Sequence, residues 1–268
     1  MNPIALSNFD LALAACLVLV HAALSLALSL GLGRMLVIAV ARMVIQLALL
    51  ALVLQYLFET VSPWLTLLAA LVMIGFAGHE AVARLSRKFS GPWGHGISTA
   101  SVLLAAMLIM TYVLTTQVQP EPWYNPRYAI PLLGMLLGNT MTGIALGLNT
   151  LTATASRERA AIEAQLTLGA TIWRAMRPTL REAMRSGLIP IINAMVATGL
   201  ISIPGMMTGQ MLAGASPESA IRYQMLVMFM LAGATGIGVF AAVHAGTWRL
   251  TDARHRLRLD RLAETKTE

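Results

Sequence analysis

The chain has 268 residues, of which 57% are hydrophobic and only 12% charged, and its formal net charge is +7. Soluble domains run near half apolar and a quarter charged, so this composition excludes an ordinary water-soluble enzyme or binding module. The excess positive charge does not point to nucleic acid, because the Lys and Arg residues flank apolar runs and do not cluster on one polar face.

Seven apolar segments of bilayer-spanning character can be drawn, at 10–30, 35–57, 61–76, 97–116, 128–148, 188–211 and 224–245. Together they predict an all-α, polytopic helical bundle, a single transmembrane domain over 1–268, with no polar stretch long enough for a separate soluble domain. The first segment is not preceded by Lys or Arg and is long for a signal h-region, so it is expected to stay in the membrane. It contains Cys16, the only cysteine, which reads as a small buried hydrophobe and excludes an intramolecular disulfide. It also contains His21, which, like His244 in the last segment, has no partner at metal-ligand spacing and reads as packing.

The second segment carries Arg42, the one charge deep in a predicted span, with Gln46 a turn away on the same face. A charge at that depth costs about 2.5–3.5 kcal/mol on insertion scales, so it must face protein or water. It reads either as a pathway residue or as an anchor bonding carbonyls of a neighbouring helix. The third segment is short and can extend through 77–83, where nothing breaks a helix. Asp10 and Glu59 sit at span ends and Glu80 just past the third span, so no acidic residue is evident inside a span to carry a proton or sodium.

The fifth segment brings Asn139, Thr140, Thr142 and Asn149, and the sixth brings Asn193. Such groups can bond between helices, at an average of about 0.6 kcal/mol in membrane interiors. The pairs Gly134/Gly138, Gly143/Gly147 and Gly205/Gly209 have the spacing that lets helices approach closely. In the sixth segment Pro204 and Gly205 are expected to break or kink the helix, and broken helices near the midplane often line substrate sites. That marks Met206, Met207, Thr208 and Gln210 as substrate-path residues, with Arg42, Gln46, Asn139 and Asn193 as further polar positions on the path. Met195, Met211, Met225, Met228 and Met230 extend a methionine-rich zone that reads either as soft thioether ligands or as adaptable packing.

The connecting segments set the orientation. One alternate set holds Arg34; Arg84, Arg87 and Lys88; Arg157 to Arg185; and a tail from Arg249 to Lys266, while the other holds only Arg127 and Arg222 among cations. The positive-inside rule then predicts an outside N-terminus and a cytoplasmic C-terminus. Trp64 and Trp123 fall at the predicted outer interface.

The longest cytoplasmic segment, 152–187, has Ile162, Leu166, Gly169 and Trp173 at spacings of four, three and four, one face of a single amphipathic helix. Arg174, Arg177, Arg181 and Arg185 form a basic stripe interrupted by Pro178. The periodicity fits an interfacial helix meeting anionic lipid as well as a docking helix for a cytoplasmic protein. The string from Glu163 through Ala164, Gly169, Ala170 and Trp173 to Arg177 resembles the cytoplasmic coupling loop of ABC-transporter permeases, with Gln165 in place of the usual second alanine.

The block Gly199–Gln210, with 136–141 and 41–46, is similar to the iron-export permease family of ABC transporters, a resemblance that covers nearly the whole chain. It implies a permease of the bacterial inner membrane, a non-enzymatic subunit that works as a homodimer with a separate cytoplasmic ATPase. Bacterial members of that family are associated with iron efflux, and plant relatives with aluminium tolerance and nucleotide-sugar movement. The expected activity is therefore iron or metal efflux, with nucleotide-sugar export or ion-coupled secondary transport as alternatives. No glycine-rich phosphate loop ending in Lys exists, as Lys88 and Lys266 complete no such pattern, so ATP and magnesium are expected on the partner and no cofactor on this chain.

Overall fold

The computed structural model describes residues 7–252 and 254–263. Ten helices carry the described chain: α1 Asn8–Ala27, α2 Gly33–Thr60, α3 Pro63–Ala83, α4 Trp93–Tyr112, α5 Pro126–Arg157, α6 Arg159–Thr167, α7 Ile172–Ala175, α8 Arg177–Ala197, α9 Gly205–Leu212 and α10 Pro217–Arg249. α4 ends in a widened π-helical turn at Val113–Val118. Pro opens α3, α5, α8 and α10 within the first two positions, where a missing N–H costs nothing. Pro178 therefore starts a helix and does not interrupt one.

Six helical stretches are long and apolar enough to cross a bilayer: Phe9–Ala27, Gly33–Thr60, Pro63–Ala83, Trp93–Val118, Pro126–Arg157 and Pro217–Arg249. The chain is a multi-pass membrane protein. The third span takes the longer form, to Ala83. The predicted sixth span is broken next to Pro204 and Gly205, as expected, so 188–211 is not one helix and does not cross as a single span. Its first part is the C-terminal half of α8, whose other half carries Arg177, Arg181 and Arg185, and the chain then leaves helical geometry at 198–204 before α9 begins.

α5, α8 and α10 form the core, with α3 and α4 packed beside it. α8 runs antiparallel to both neighbours, and glycines set the separation. A Cβ on Gly187 would lie 2.7 Å from the Gly143 carbonyl oxygen and 2.8 Å from Val239 Cγ1. A Cβ on Gly143 would meet Thr235 Cγ2 at 2.7 Å and the Gly187 oxygen at 2.9 Å. Of the predicted close-approach pairs, Gly143/Gly147 is one, whereas Gly138, Gly205 and Gly209 have nothing within 4 Å. Leu136, Ile144, Leu148, Leu151, Val239 and Val243 fill the space around this contact, all fully buried.

α1 and α2 form a hairpin at the margin of the bundle. Ser25 Oγ accepts a bond from Leu32 N at 3.2 Å and fixes its turn. Leu57 is the only buried residue of α2. Helices apolar on every side and this exposed face lipid or another protein. Cys16 and His21 lie on this hairpin and are exposed, which corrects the expectation that both are buried. Asn149 fulfils its expected role between segments, accepting from Ser86 N at 3.0 Å and Ser86 Oγ at 2.6 Å. Trp64 and Trp123 are exposed at the end opposite the arginine-rich segments.

The C-terminal residues fold back as a strap across the basic end. Arg258 N donates to the Leu250 oxygen, Ser90 N to Arg261 O and Ala263 N to Lys88 O, each at 2.8 Å. Lys266, which the charge pattern places in this tail, lies outside the described residues.

The glycine contact sets the first expectation. Gly187→Ala lowers stability by about 1–3 kcal/mol, the usual cost of overpacking. Gly138→Ala, at an open position, stays within about 0.5 kcal/mol of the parent. Thermal unfolding of the two purified variants in one detergent compares them directly; equal midpoints would remove the claim that backbone contact fixes α8.

Candidate functional site

The break after α8 opens a half-open cavity of ≈ 330 Å³ lined by α5, α8, α9 and α10. Gly199, at φ +97°, turns the chain there, and Gly199 N donates to the Ser202 oxygen at 2.9 Å. Ile201 N and Ser202 N both reach the Ala197 carbonyl at 3.1 Å, so the loop satisfies part of its own backbone. Ala197 shares the cavity wall with Val227, Met228 and Leu231. These lie about 15–21 Å along α10 from its first residue, at 1.5 Å per residue, so the break sits within the span and not at its end. Non-helical backbone at such depth is stable only where it is covered by protein or lines a cavity.

The lining combines three thioethers, Met135, Met206 and Met228, with the amides of Asn139 and Gln224, and carries neither carboxylate nor imidazole. Asn139 Nδ2 donates to the Met135 oxygen at 3.0 Å, which leaves its Oδ1 free to face the cavity. Gln224 is only 6% exposed, and its Oε1 is buried with no hydrogen-bond partner among the described residues. An unpaired buried carbonyl costs about 1–3 kcal/mol, so Gln224 is a polar group of this wall whose burial no hydrogen bond among the described residues offsets. In the sequence Gln224 stands at the start of the seventh apolar segment and ends the string Arg222-Tyr223-Gln224 that belongs to the family resemblance, but it was not singled out as a site residue.

Of the predicted path residues, the cavity brings together Asn139 and Met206. Met207, Thr208 and Gln210 are on α9 but do not line it; Thr208 Oγ1 donates to the Pro204 oxygen at 3.2 Å, and Gln210 Oε1 is buried without a partner. Asn193 is on the exposed face of α8. Arg42 and Gln46 lie on α2, away from the cavity and exposed. Arg42 does not line this cavity; among the described residues its Nη2 donates to Glu80 Oε2 of α3 at 2.9 Å. Glu80, expected past the third span, is inside it once α3 runs to Ala83.

A second feature stands at the basic end. The expected single amphipathic helix over 162–173 is corrected to two short helices, α6 and α7, joined by a tight turn. Ala170 N donates to the Gln165 oxygen and Gly169 N to the Leu166 oxygen, each at 3.0 Å, which is the Schellman closure of α6. Gly169 has φ +85°, the left-handed conformation that this closure demands and that glycine adopts without strain. Nothing lies within 4 Å of its missing Cβ. Ile162 and Ile172 are buried and hold the two helices to the bundle, while Leu168 projects from the turn at 87% exposed. Glu163 pairs with Arg159 at 2.8 Å, Ala164 caps the turn by accepting from Thr167 Oγ1 at 2.8 Å, Ala170 is half-buried, and Arg177 is exposed where α8 begins. Trp173 stacks on His244 of α10, with ring centroids 6.2 Å apart, and His244 in turn contacts Phe240 at 4.0 Å.

The turn and the cavity thus sit on the same two helices. α8 follows the turn through α7 and ends at the cavity; α10 lines the cavity and meets α7 through His244, about 20–30 Å away along the helix axis.

The model of a family described as "Uncharacterised protein family (UPF0014)" matches residues 8–250. The chain is 37% identical to UPF0014 membrane protein slr1647 of Synechocystis over 71% of this chain and 73% of that protein. It is 31% identical to the probable iron export permease protein FetB of Escherichia coli over 96% of this chain and 97% of that one. Protein ALUMINUM SENSITIVE 3 of Arabidopsis thaliana is 32% identical over 78% of this chain and 74% of its own length. No solved structure matches.

The ion pair between α2 and α3 generates a measurable expectation. Removing one partner leaves an uncompensated charge in a span, whereas removing both does not. Arg42→Leu and Glu80→Leu are each expected to destabilise more than the double substitution, with a coupling on the order of 1 kcal/mol. Unfolding midpoints of the four proteins in nanodiscs read it out, and strict additivity would show the pair to be incidental.

Proposed function

The chain belongs to the UPF0014 family of membrane proteins, and from that premise we propose that it is the permease subunit of an ABC-type exporter for iron or a related metal, driven by a separate cytoplasmic ATPase. The observation that carries the reading is the exposed turn at Leu168 and Gly169. Two short helices anchored by Ile162 and Ile172 present an apolar tip at the basic end, the shape a partner groove can grip. The name of the Escherichia coli relative, whose length the chain covers almost completely, supports the substrate.

In this reading, closure of the ATPase pair displaces the turn. Trp173 pushes on His244 of α10 while Arg177 moves with the start of α8, so both helices that frame the cavity shift together. Asn139, Met206 and Gln224 would meet the cargo, with Met207, Thr208 and Gln210 completing α9 behind them. Magnesium and ATP stay on the partner.

Two copies are needed to close the pathway. Leu200 and Ile201 of the break are 96% and 84% exposed, on irregular backbone at a depth where lipid cannot satisfy peptide groups. A second copy covering this loop removes that cost. Glu80 favours one other reading, an ion-coupled carrier, since it is a carboxylate inside a span; its pairing with Arg42 and its distance from the cavity argue for a structural role.

The deciding measurement is ATP-dependent iron uptake into inside-out vesicles containing the chain with its cognate ATPase. Saturable uptake that vanishes without the ATPase is expected; uptake that follows a proton gradient and ignores ATP would replace this reading by the carrier. Gly169→Val is expected to insert normally and to cut transport at least about tenfold, because a β-branched residue resists positive φ. Gly169→Asn, which tolerates that conformation, is expected to retain most of it. Gln224→Leu separates site from scaffold: loss of an unpaired buried carbonyl leaves the unfolding midpoint equal or higher, while transport falls about tenfold or more. A Gln224→Leu protein that transports normally would take the cavity off the path.

A further inference from the structure

The C-terminal strap closes a second cavity, ≈ 480 Å³, at the basic end. Three indoles, Trp93, Trp173 and Trp248, wall it, and Arg249 and Arg261 supply its cations. Trp93 is the first residue of one bilayer-crossing helix and Arg249 the last of another, so the cavity lies at headgroup depth. Tryptophan and arginine at that level are the side chains that meet lipid headgroups.

The charges in the cavity are not balanced. The Arg249 guanidinium stands 4.5 Å above the Trp93 ring centroid and makes no hydrogen bond or ion pair among the described residues; its Nε is buried without a partner. Arg261 Nη1 donates to the Arg249 and Thr251 carbonyls at 2.8 and 3.0 Å, which fixes the guanidinium in place without neutralising it. The carboxylates on the strap are engaged elsewhere. Asp252, which also faces the cavity, holds Arg256 at 2.8 Å, and Asp260 holds Arg258 through two bonds of 2.8 Å. Those bonds from Arg258 lower the Asp260 pKa to about 2, and hydrogen bonds from Arg256 lower that of Asp252, so both stay ionised and bonded to their own arginines at neutral pH, while Asp260 acts on Arg249 and Arg261 only through space. His255 contributes no fixed charge of the opposite sign.

We propose that this cavity binds a phosphate-bearing anion, the headgroup of an anionic phospholipid, between Arg249 and Arg261 against the indoles of Trp93 and Trp248. Guanidinium forks match phosphate oxygens, and the indole faces take the glycerol and upper acyl carbons. Because Ile172 and Trp173 of α7 also line the cavity, a bound headgroup braces the exposed turn from behind. The site stands on its own geometry and holds whether or not the chain exports iron.

The test uses the purified full chain in detergent and its intrinsic tryptophan fluorescence, since the cavity contains three of the five tryptophans. It is titrated with dihexanoyl phosphatidylglycerol, dihexanoyl phosphatidylcholine and inorganic phosphate. Phosphatidylglycerol is expected to give a saturable change, with the zwitterionic lipid at least about tenfold weaker, as charge-assisted binding to guanidinium requires. Arg249→Gln is expected to raise the phosphatidylglycerol Kd by about tenfold or more, and Arg249→Lys, which keeps charge but loses the planar fork, to fall between. Arg249 is chosen because its head group makes no hydrogen bond or ion pair among the described residues and contacts the fold only by its stacking on Trp93; an unchanged unfolding midpoint shows that this contact is dispensable, and Arg249→Lys, which keeps a cation over the ring, serves if the glutamine variant is unstable. Saturation by inorganic phosphate at the same concentrations keeps the phosphate site and moves its source from lipid to solution. Equal response to both lipids without a phosphate response, or an Arg249→Gln titration identical to the parent, overturns the proposal.

Discussion

The contact between the backbones of Gly143 and Gly187 is the constraint on which the rest of the architecture depends. In lipid there is no hydrophobic force to press helices together, so association rests on close van der Waals packing. α8 is the least apolar of the long helices, with Arg177, Arg181 and Arg185 in its first half, and its sequence would not hold it in a bilayer unaided. Two glycines remove the side chains that would keep it from α5, and the carbonyl of each sits where the other's Cβ would be. Val239 and Val243 of α10 close the third side. α8 is thereby fixed between the two longest helices and touches both along its length.

Those ends are unlike. At the basic end α8 follows a glycine-closed turn whose apolar tip has no partner within the chain. At the other it stops within the span, and the unsatisfied geometry of the break is used to line a cavity. Continuing α8 as a straight helix through 198–204 would fill that space with side chains. The break therefore exchanges a few helical hydrogen bonds for a chamber, and Gly199 with Pro204 set its two corners.

The long spans were legible in the sequence because about 20 apolar residues are what a bilayer demands, and α3 to Ala83 was legible because nothing in 77–83 breaks a helix. The misread sixth span shows the limit of that signal: hydropathy at 188–211 is continuous, so the apolar run conceals the loss of helical geometry at Gly199, and only Pro204 announced it. The amphipathic period through Ile162, Leu166, Gly169 and Trp173 was misleading for a related reason. A helix-period pattern can be spread over two helices when a left-handed glycine joins them, and Leu168, the most exposed part of the turn, falls off the predicted face. Arg42 was read without its partner because Glu80 was placed outside a span drawn too short. Gln224 entered the sequence reading only as the end of a family-like string and not as a site residue, since what distinguishes it is the lack of a hydrogen-bond partner among the described residues, a property of the packed structure and not of the residue type.

The chemistry of the cavity bears on how a permease of this kind handles a charged cargo. A bare divalent ion taken out of water into a chamber of thioethers and amides meets dipoles but no opposing charge, and desolvation of an unpaired ion costs far more than a few dipoles return. Carboxylates would solve that problem by binding tightly, and tight binding opposes release, whereas conduction needs a site weak enough to leave. A neutral lining is consistent with cargo that carries part of its own ligand shell through the membrane. On the proposed metal-export reading, Gln224 and Asn139 are the amides of the lining placed to act on that shell. The methionines around them keep the wall deformable while α8 and α10 move, which a chamber of charged, hydrogen-bonded groups could not do without breaking bonds in low dielectric.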